Sequence, residues 1–373
     1  MSARPQGEQS AVDGEATARR GDLVVPLAAV GRLDVLRVGG KAASLGEMVR
    51  LDLPVPPGYV VTTACFRQVL DALSPAIDPA AAISGLDPDD RRAVEAATAP
   101  LRQAISGCTL PDGLEAEVLA HYRDLGRGRG RGPVPVAVRS SATGEDALDA
   151  SFAGLQDTYL WVRDEAALLD RLRACWASLY SVESVCYRLQ RAIPEEDAAM
   201  AVVVQEMVAA RSSGVMFTRS PSTGDRSVVA IEAAWGLGSA VVGGEVTPDS
   251  FTVSKVTGEV LRRHVSDKLR RHVPDDSASG GVLDEEVPAD LRTVPSVSDE
   301  ELAHLVELAR TVEAHYGIAQ DVEWALAPDA HTGVGLFLLQ SRPETAWSKR
   351  ATGPVAAPKA RAFDHVIEAM GRG

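Results

Sequence analysis

The chain has 373 residues, with 38 Lys or Arg against 52 Asp or Glu, for a net charge of −14. That length holds two or three subdomains with a sizeable core. The acidic balance, without a basic patch interleaved with aromatics, argues against nucleic acid as a partner, and no apolar run reaches the length of a membrane span.

Residues 1–21 are polar, lack the apolar stretch of a signal peptide, and are predicted as a disordered tail. Residues 23–30 read as a short strand. Gly39 and Gly40 then feed a helix predicted from Lys41 to about Arg50. Glycines, a lysine and a helix N-terminus together form a generic phosphate cradle, although a plain strand–turn–helix link has the same pattern. Residues 54–58 form a rigid Pro-rich turn, 59–62 a strand, 64–73 a helix, 74–110 helical segments with loops, and 114–125 a further helix. The run Gly126-Arg127-Gly128-Arg129-Gly130-Arg131-Gly132 reads as a solvated loop.

An apolar strand over 134–138 runs into Arg139-Ser140-Ser141-Ala142-Thr143-Gly144-Glu145-Asp146. Arginine brings a permanent fork of donors that fits phosphate oxygens. Small hydroxyl residues add polar groups without bulk, and glycine lets backbone N–H groups approach an anion. The same residues also suit a charged surface turn.

Residues 165–191 are predicted helical, with Leu168, Leu172, Cys175, Trp176, Leu179 and Val182 recurring at helix spacing as core. A buried strand over 200–207 is expected to pair, across a turn at Arg211-Ser212-Ser213-Gly214, with a strand over 215–218. Strands follow at 228–233 and 250–254, with a hairpin at Thr257-Gly258. The Asp-, Gly- and Pro-rich segment 273–297 reads as a mobile loop. Residues 298–316 carry clear helix signals: a Ser298/Glu301 capping box and Gly317 just past the end. Residues 321–326 and 336–340 read as paired strands, and 348–373 as a linker or tail. The fold class is α+β (mixed α/β).

Strand alternation puts Asp321 and Glu323 on one face, and Gln340 and Arg342 on one face of the next strand. Pairing would bring Glu323 near Gln340 and Arg342. Hard oxygens there suit Mg²⁺, with an arginine to neutralise phosphate charge; a ladder of surface salt bridges would use the same residues. At Gln205-Glu206-Met207-Val208 a strand end can offer backbone groups to an adenine edge, with Met207 and Val208 as an apolar wall, or simply enter a turn. Trp235-Gly236-Leu237-Gly238 and Gly243-Gly244 allow close backbone approach or act as hinges. Cys65, Cys108, Cys175 and Cys186 show no CxxC spacing, so reduced thiols in the cytoplasm are expected.

The run from Arg139 to Asp146, continued by Ala150-Ser151-Phe152-Ala153-Gly154-Leu155-Gln156-Asp157-Thr158-Tyr159-Leu160, resembles the N-terminal nucleotide-binding domain of the phosphoenolpyruvate synthase, pyruvate phosphate dikinase and rifampicin phosphotransferase family. Further blocks follow in the family's order. They are Val38-Gly39-Gly40-Lys41-Ala42-Ala43-Ser44-Leu45-Gly46-Glu47-Met48, Val55-Pro56-Pro57-Gly58-Tyr59, Gln205-Glu206-Met207-Val208, Ser213-Gly214-Val215-Met216-Phe217-Thr218, Trp235-Gly236-Leu237-Gly238, Asp321-Val322-Glu323-Trp324 and Gln340-Ser341-Arg342-Pro343. Many ordered blocks are far stronger evidence than one glycine loop. The likeness covers roughly residues 22–347.

The resemblance implies an ATP-grasp arrangement, two lobes holding ATP between them: a phosphate-binding lobe over 22–200 and an adenine and metal lobe over 201–347. It implies that Lys41, Arg139 and Arg342 grip phosphates and carry the catalytic charge. It places Thr158, Gln205, Met207 and Val208 on the nucleotide, and Glu323 and Gln340 on Mg²⁺ and ATP. It implies a dikinase reaction, in which a histidine on a separate swivelling domain attacks the β-phosphorus, AMP leaves, and a small acceptor is finally phosphorylated. Ser239 stands where relatives often carry Glu, so no role passes to it.

The family's Gly-Gly-x-Thr-x-His-type motif is missing, and His121, His264, His272, His304, His315, His331 and His365 are assigned to surface or packing roles. The expectation is therefore an excised domain or a stand-alone subunit, slightly favouring the latter, that needs a protein partner or domain bearing the histidine and acceptor sites. Two other readings stand beside it: a non-catalytic ATP-binding regulatory module, and a self-contained small-molecule kinase.

Overall fold

The computed structural model describes residues 22–74, 76–127, 134–144, 157–277, 280–331, 334–345 and 347. The expected tail, the linker beyond Trp347, most of the Gly/Arg run, and Glu145 to Gln156 of the first family block lie outside these residues.

The chain starts with strand β1 (Val24–Pro26), then helix α1 (Val35–Arg50), β2 (Gly58–Val61), and helices α2 (Thr63–Leu73), α3 (Pro79–Ile83), α4 (Arg91–Ser106) and α5 (Leu114–Gly126). After β3 (Val136–Ala142) and β4 (Thr158–Val162) come α6 (Glu165–Ser178), α7 (Val182–Gln190) and β5 (Met200–Glu206). These five strands form one antiparallel sheet in the order β1-β2-β5-β3-β4. Alternation sorts their side chains. Val136, Val138, Val202 and Val204 face a core shared with Phe66, Leu101, Leu119, Leu172 and Trp176 of the covering helices. Val25, Val60, Ala201 and Val203 face the opposite way, into a second core.

That second core is completed by the rest of the chain. Its elements are β6 (Ser212–Phe217), β7 (Val228–Trp235), α8 (Ser239–Val242), β8 (Asp249–Ser254), β9 (Val260–His264), β10 (Arg270–Pro274), β11 (Val282–Glu286), α9 (Asp299–Tyr316), β12 (Gln320–His331) and β13 (Val334–Pro343). A six-stranded antiparallel sheet runs β13-β12-β6-β7-β8-β9, while β10 and β11 make a separate two-stranded ribbon. Val38, Leu45 and Met48 of α1 and Leu302, Leu305 and Ala309 of α9 pack with Met216, Ile231, Trp324 and Leu338 of this sheet. Both helices thus sit in the layer where the two sheets meet, and the mixed α+β class holds.

Several local expectations hold. Ser298 Oγ accepts from Glu301 N (3.2 Å), Glu301 Oε2 accepts from Ser298 N (2.8 Å), and Gly317 takes the left-handed conformation at φ 70°. The strands around 321–326 and 336–340 pair as expected. Four expectations are corrected. The strand over 200–206 is not the partner of β6. It lies between β2 and β3, and β6 pairs instead with β7 and β12. Because β5 belongs to the first sheet, the lobe boundary expected at 200/201 falls inside a strand; the chain changes sheets over 207–211. The segment 273–297 includes the end of β10, all of β11 and the buried Val287, Ser296 and Val297. The long helix over 165–191 is broken at 179–181, where Ser181 caps α7 by accepting from Ser184 N.

Candidate active site between the two sheets

A cavity of about 370 Å³ opens where the sheets face each other. Its lining includes all nine residues singled out from the sequence: Lys41, Arg139, Thr158, Gln205, Met207, Val208, Glu323, Gln340 and Arg342. They come from α1, three strands of the first sheet, the connector after β5, and the edge of the second sheet. The local reasons can be taken one by one.

Lys41 owes its place to Gly39. The first turn of α1 ends there at φ 75°, ψ 169°, and helix resumes behind it. A Cβ on Gly39 would stand 2.1 Å from Ser141 O, so only glycine allows α1 to close on the end of β3. Ser141 Oγ donates to Val38 O (2.8 Å) and accepts from Ala42 N (3.1 Å), which latches helix to strand. Lys41 Nζ then donates to Ser140 O at 2.7 Å, and the side chain is almost fully buried.

Arg139 lies mid-strand on β3, opposite Thr158 of β4, on the face away from the first hydrophobic core. Its guanidinium reaches across to the second sheet: Nη1 donates to Leu339 O (2.8 Å), Nη2 to Gln340 Oε1 (2.8 Å), and Glu323 Oε2 is 3.5 Å away. Its Nε is buried without a hydrogen-bond partner among the described residues. Glu323 and Gln340 are direct cross-strand partners, and Arg342 stands opposite Asp321, with Nε 3.6 Å from Asp321 Oδ2. The expected convergence of Glu323 and Gln340 is therefore found; Arg342 reaches the cavity one step along, held by the neighbouring carboxylate.

Gln205 is fixed by its amide, which donates to Pro56 O at 3.1 Å. Glu206 N and Met207 N donate to Pro57 O and Pro135 O, both at 2.9 Å. The Met207 N–H is thus taken up inside the fold, and an adenine edge at this wall must use other groups. Gly236 is a close-approach glycine, as the sequence suggested, but toward protein: a Cβ would stand 2.2 Å from His272 O. Leu237, Gly238 and Ser239 line the cavity.

Sequence reasoning missed two features. Asp321 carries a carboxyl pushed up to about 6 by burial, an effect that nearby Glu344 adds to and Arg342 partly offsets. Its Oδ1 is buried without a hydrogen-bond partner among the described residues. Its spacing of two from Glu323 was the available signal. The other is His272, assigned to surface or packing. It stands against Ser239 on the cavity wall.

Three cationic side chains and hard oxygens around one cavity have the chemistry that suits a polyphosphate. Among the described residues no three His, Cys, Asp or Glu side chains could hold a metal ion by themselves. Such a sparse donor set fits Mg²⁺, which takes one or two carboxylates plus phosphates and water. The orphaned Asp321 oxygen is consistent with a site that awaits a partner.

Comparison with known proteins gives the family. Residues 35–362 match the family model for the pyruvate phosphate dikinase AMP/ATP-binding domain. The chain is 40% identical over 359 residues to a probable phosphoenolpyruvate synthase of Staphylothermus marinus, covering 90% of this chain and 43% of the relative. It is 40% identical over 335 residues to a probable phosphoenolpyruvate synthase of Methanothermobacter thermautotrophicus, covering 88% and 47%. A rifampicin phosphotransferase of Streptomyces sviceus is 40% identical over 325 residues, covering 86% and 36%. The chain thus spans less than half the length of these relatives.

Proposed function

The chain belongs to the pyruvate phosphate dikinase AMP/ATP-binding domain family, and from that premise we propose that it binds Mg²⁺–ATP between its sheets and presents the β-phosphorus to a histidine carried by another domain or chain. AMP then leaves, and the phosphoryl group passes to a small acceptor bound elsewhere. The single observation that carries this reading is that nine residues scattered from position 41 to 342 line one cavity.

Phosphoryl transfer asks the protein mainly for positioning and charge stabilisation. Lys41 and Arg139 bind phosphate oxygens from the first sheet, and Arg342 from the second. Because Arg139 already bridges to Leu339 O and Gln340, it holds the sheets at the spacing the nucleotide needs. Glu323 and Gln340 would hold Mg²⁺, which supplies neutralisation of phosphate charge when bound. Gln205, Met207 and Val208 form the wall for the base, and Thr158 adds a hydroxyl beside Arg139. The histidine and acceptor sites are assigned to a protein partner or to domains outside this chain, in keeping with the share of the relatives' length it covers. Among the described residues no helix is long and apolar enough to cross a membrane, and the four cysteines are buried free thiols. We place the reaction in the cytoplasm.

The test is titration calorimetry of the chain with ATP, with and without Mg²⁺, followed by product analysis after adding a histidine-bearing domain of a relative. Tight Mg²⁺-dependent binding with AMP as product is the expected result. ADP as the main product in that mixture would overturn the scheme.

A further inference from the structure

Where the nucleotide cavity ends, a second cavity of about 420 Å³ begins, and Thr158, Leu160 and Ser239 line both. At this seam stand three side chains in an order that chemistry uses elsewhere to activate a hydroxyl. Ser239 Oγ is 2.8 Å from His272 Nδ1, and His272 Nε2 is 3.3 Å from Glu245 Oε2. A carboxylate at Nε2 favours the tautomer that carries its proton there, which leaves Nδ1 as acceptor for the serine proton. A hydroxyl hydrogen-bonded to an imidazole that has a carboxylate near its other nitrogen follows the general pattern of an activated nucleophile.

The contact is not needed to dock the loop. Leu237 N already donates to His272 O at 2.8 Å, and Gly236 packs directly on that carbonyl. The side-chain pair is additional to this backbone seam. Its position also matters. Thr158, the cross-strand partner of Arg139, lines both cavities with Ser239, so the hydroxyl shares the cavity with the arginine proposed to grip phosphate.

We propose that Ser239 is an autophosphorylation site, with His272 as its base and Glu245 orienting the imidazole. Ser239 Oγ bonds to the γ-phosphorus of ATP bound in the cavity. The bond from that phosphorus to the β,γ-bridging oxygen breaks, and its electron pair leaves on ADP. The serine proton moves to His272 Nδ1. A phosphate on Ser239 adds charge at the cavity wall and would oppose a second nucleotide, so the step also limits occupancy. This inference rests on the reading of the cavity as an ATP site.

The experiment incubates the whole chain with Mg²⁺ and ATP labelled in the γ-phosphate, maps the label by peptide mass spectrometry, and measures Mg²⁺–ATP binding in parallel by calorimetry. The expected result is an acid-stable label on the peptide containing Ser239. It should be absent in Ser239→Ala and slowed about 100-fold or more in His272→Gln, the usual scale for loss of a general base. Circular dichroism of each variant checks folding, and mapping of the unaltered chain stands whatever the variants do. An acid-labile label, a label on another residue, or a rate unchanged in His272→Gln overturns the proposal. Nucleotide binding without labelling overturns it alone, whereas absence of binding overturns the cavity reading with it.

Discussion

Two clusters of charge in the chain show opposite uses of burial. Asp249 and Lys268 are both fully buried, 2.6 Å apart. Every oxygen of Asp249 is engaged: Oδ1 also accepts from Ser266 N (3.0 Å), and Oδ2 accepts from Ser296 N and Oγ (both 2.8 Å). Lys268 Nζ donates in addition to Ser266 O at 2.9 Å. Around the cavity the ion pairs are longer and the network is incomplete. Glu323 stands 3.5 Å from Arg139 and Arg342 3.6 Å from Asp321, and both Arg139 Nε and Asp321 Oδ1 lack hydrogen-bond partners among the described residues. A closed network ties the 266–296 segment to β8; the cavity network is left open, as the proposed ligand site would require. Between these two clusters the difference lies in how far the buried polar atoms are satisfied.

The contrast breaks most sharply at Lys268. Lys268→Met leaves Asp249 as an uncompensated buried charge and should cost about 3–5 kcal/mol of stability, read from urea unfolding. The double change Asp249→Leu with Lys268→Met should recover most of that loss. If the single variant is as stable as the parent, the pair is not the closed structural knot described here. Arg139→Met should invert the pattern. It removes charge-assisted donors from the open network, so affinity for Mg²⁺–ATP should fall about 100-fold, equivalent to about 3 kcal/mol, while urea stability changes by only about 1 kcal/mol. Calorimetry and unfolding on one preparation check both halves.

How much of this was readable beforehand depends on whether the cause was local. The cap at Ser298 and the pairing of 321–326 with 336–340 rest on nearby residues, and they were legible, whereas the helix read as starting at Lys41 begins at Val35 and kinks at Gly39. The partner of β5 was not legible. An apolar run such as Ala201-Val202-Val203-Val204 states that both faces are covered, yet carries no label for the strands beside it. The nearest apolar run was β6, but Gly58 to Val61 and the β3 strand won the pairing through helices packed on the far face. The ribbon β10–β11 escaped for a related reason. Its outer residues are charged, Arg270 opposite Glu286 and Arg271 opposite Glu285, so it lacks the alternation that marks a half-buried strand. The individual site residues were named on the strength of ordered motifs, whereas the Ser239–His272 contact joins positions that no motif links.

The open network can be sharpened by pH. In the unfolded chain the Asp321 carboxyl titrates at its usual value near 3.8, but in the folded chain burial raises it to about 6. Below the unfolded value the carboxyl is neutral in both states and contributes no difference. As pH rises through 6, the folded state must carry a desolvated charge, so the stability associated with the neutral form is lost. Asp321→Asn should therefore stabilise the chain by about 3 kcal/mol above pH 7 and by nothing near pH 3. A gain of equal size at both ends, seen in thermal melts, would remove burial of this charge as the cause.

The smallest expected effect is at the rim. Arg342 is the most exposed of the three cavity cations, with 44% of its side chain accessible, so its charge is screened by water and salt. Its value to a phosphate lies in the planar fork rather than in charge alone. Arg342→Lys keeps the charge and discards the fork. Affinity for Mg²⁺–ATP should drop about tenfold, or about 1.4 kcal/mol, with no change in urea stability beyond about 0.5 kcal/mol. Raising salt should narrow the gap between Arg139→Met and its parent less than it lowers the affinity of both, because the buried cation is shielded from counterions that reach the rim. If Arg342→Lys proves as damaging as Arg139→Met, the two arginines act as one clamp, and the distinction between a buried and an exposed end of the cavity disappears.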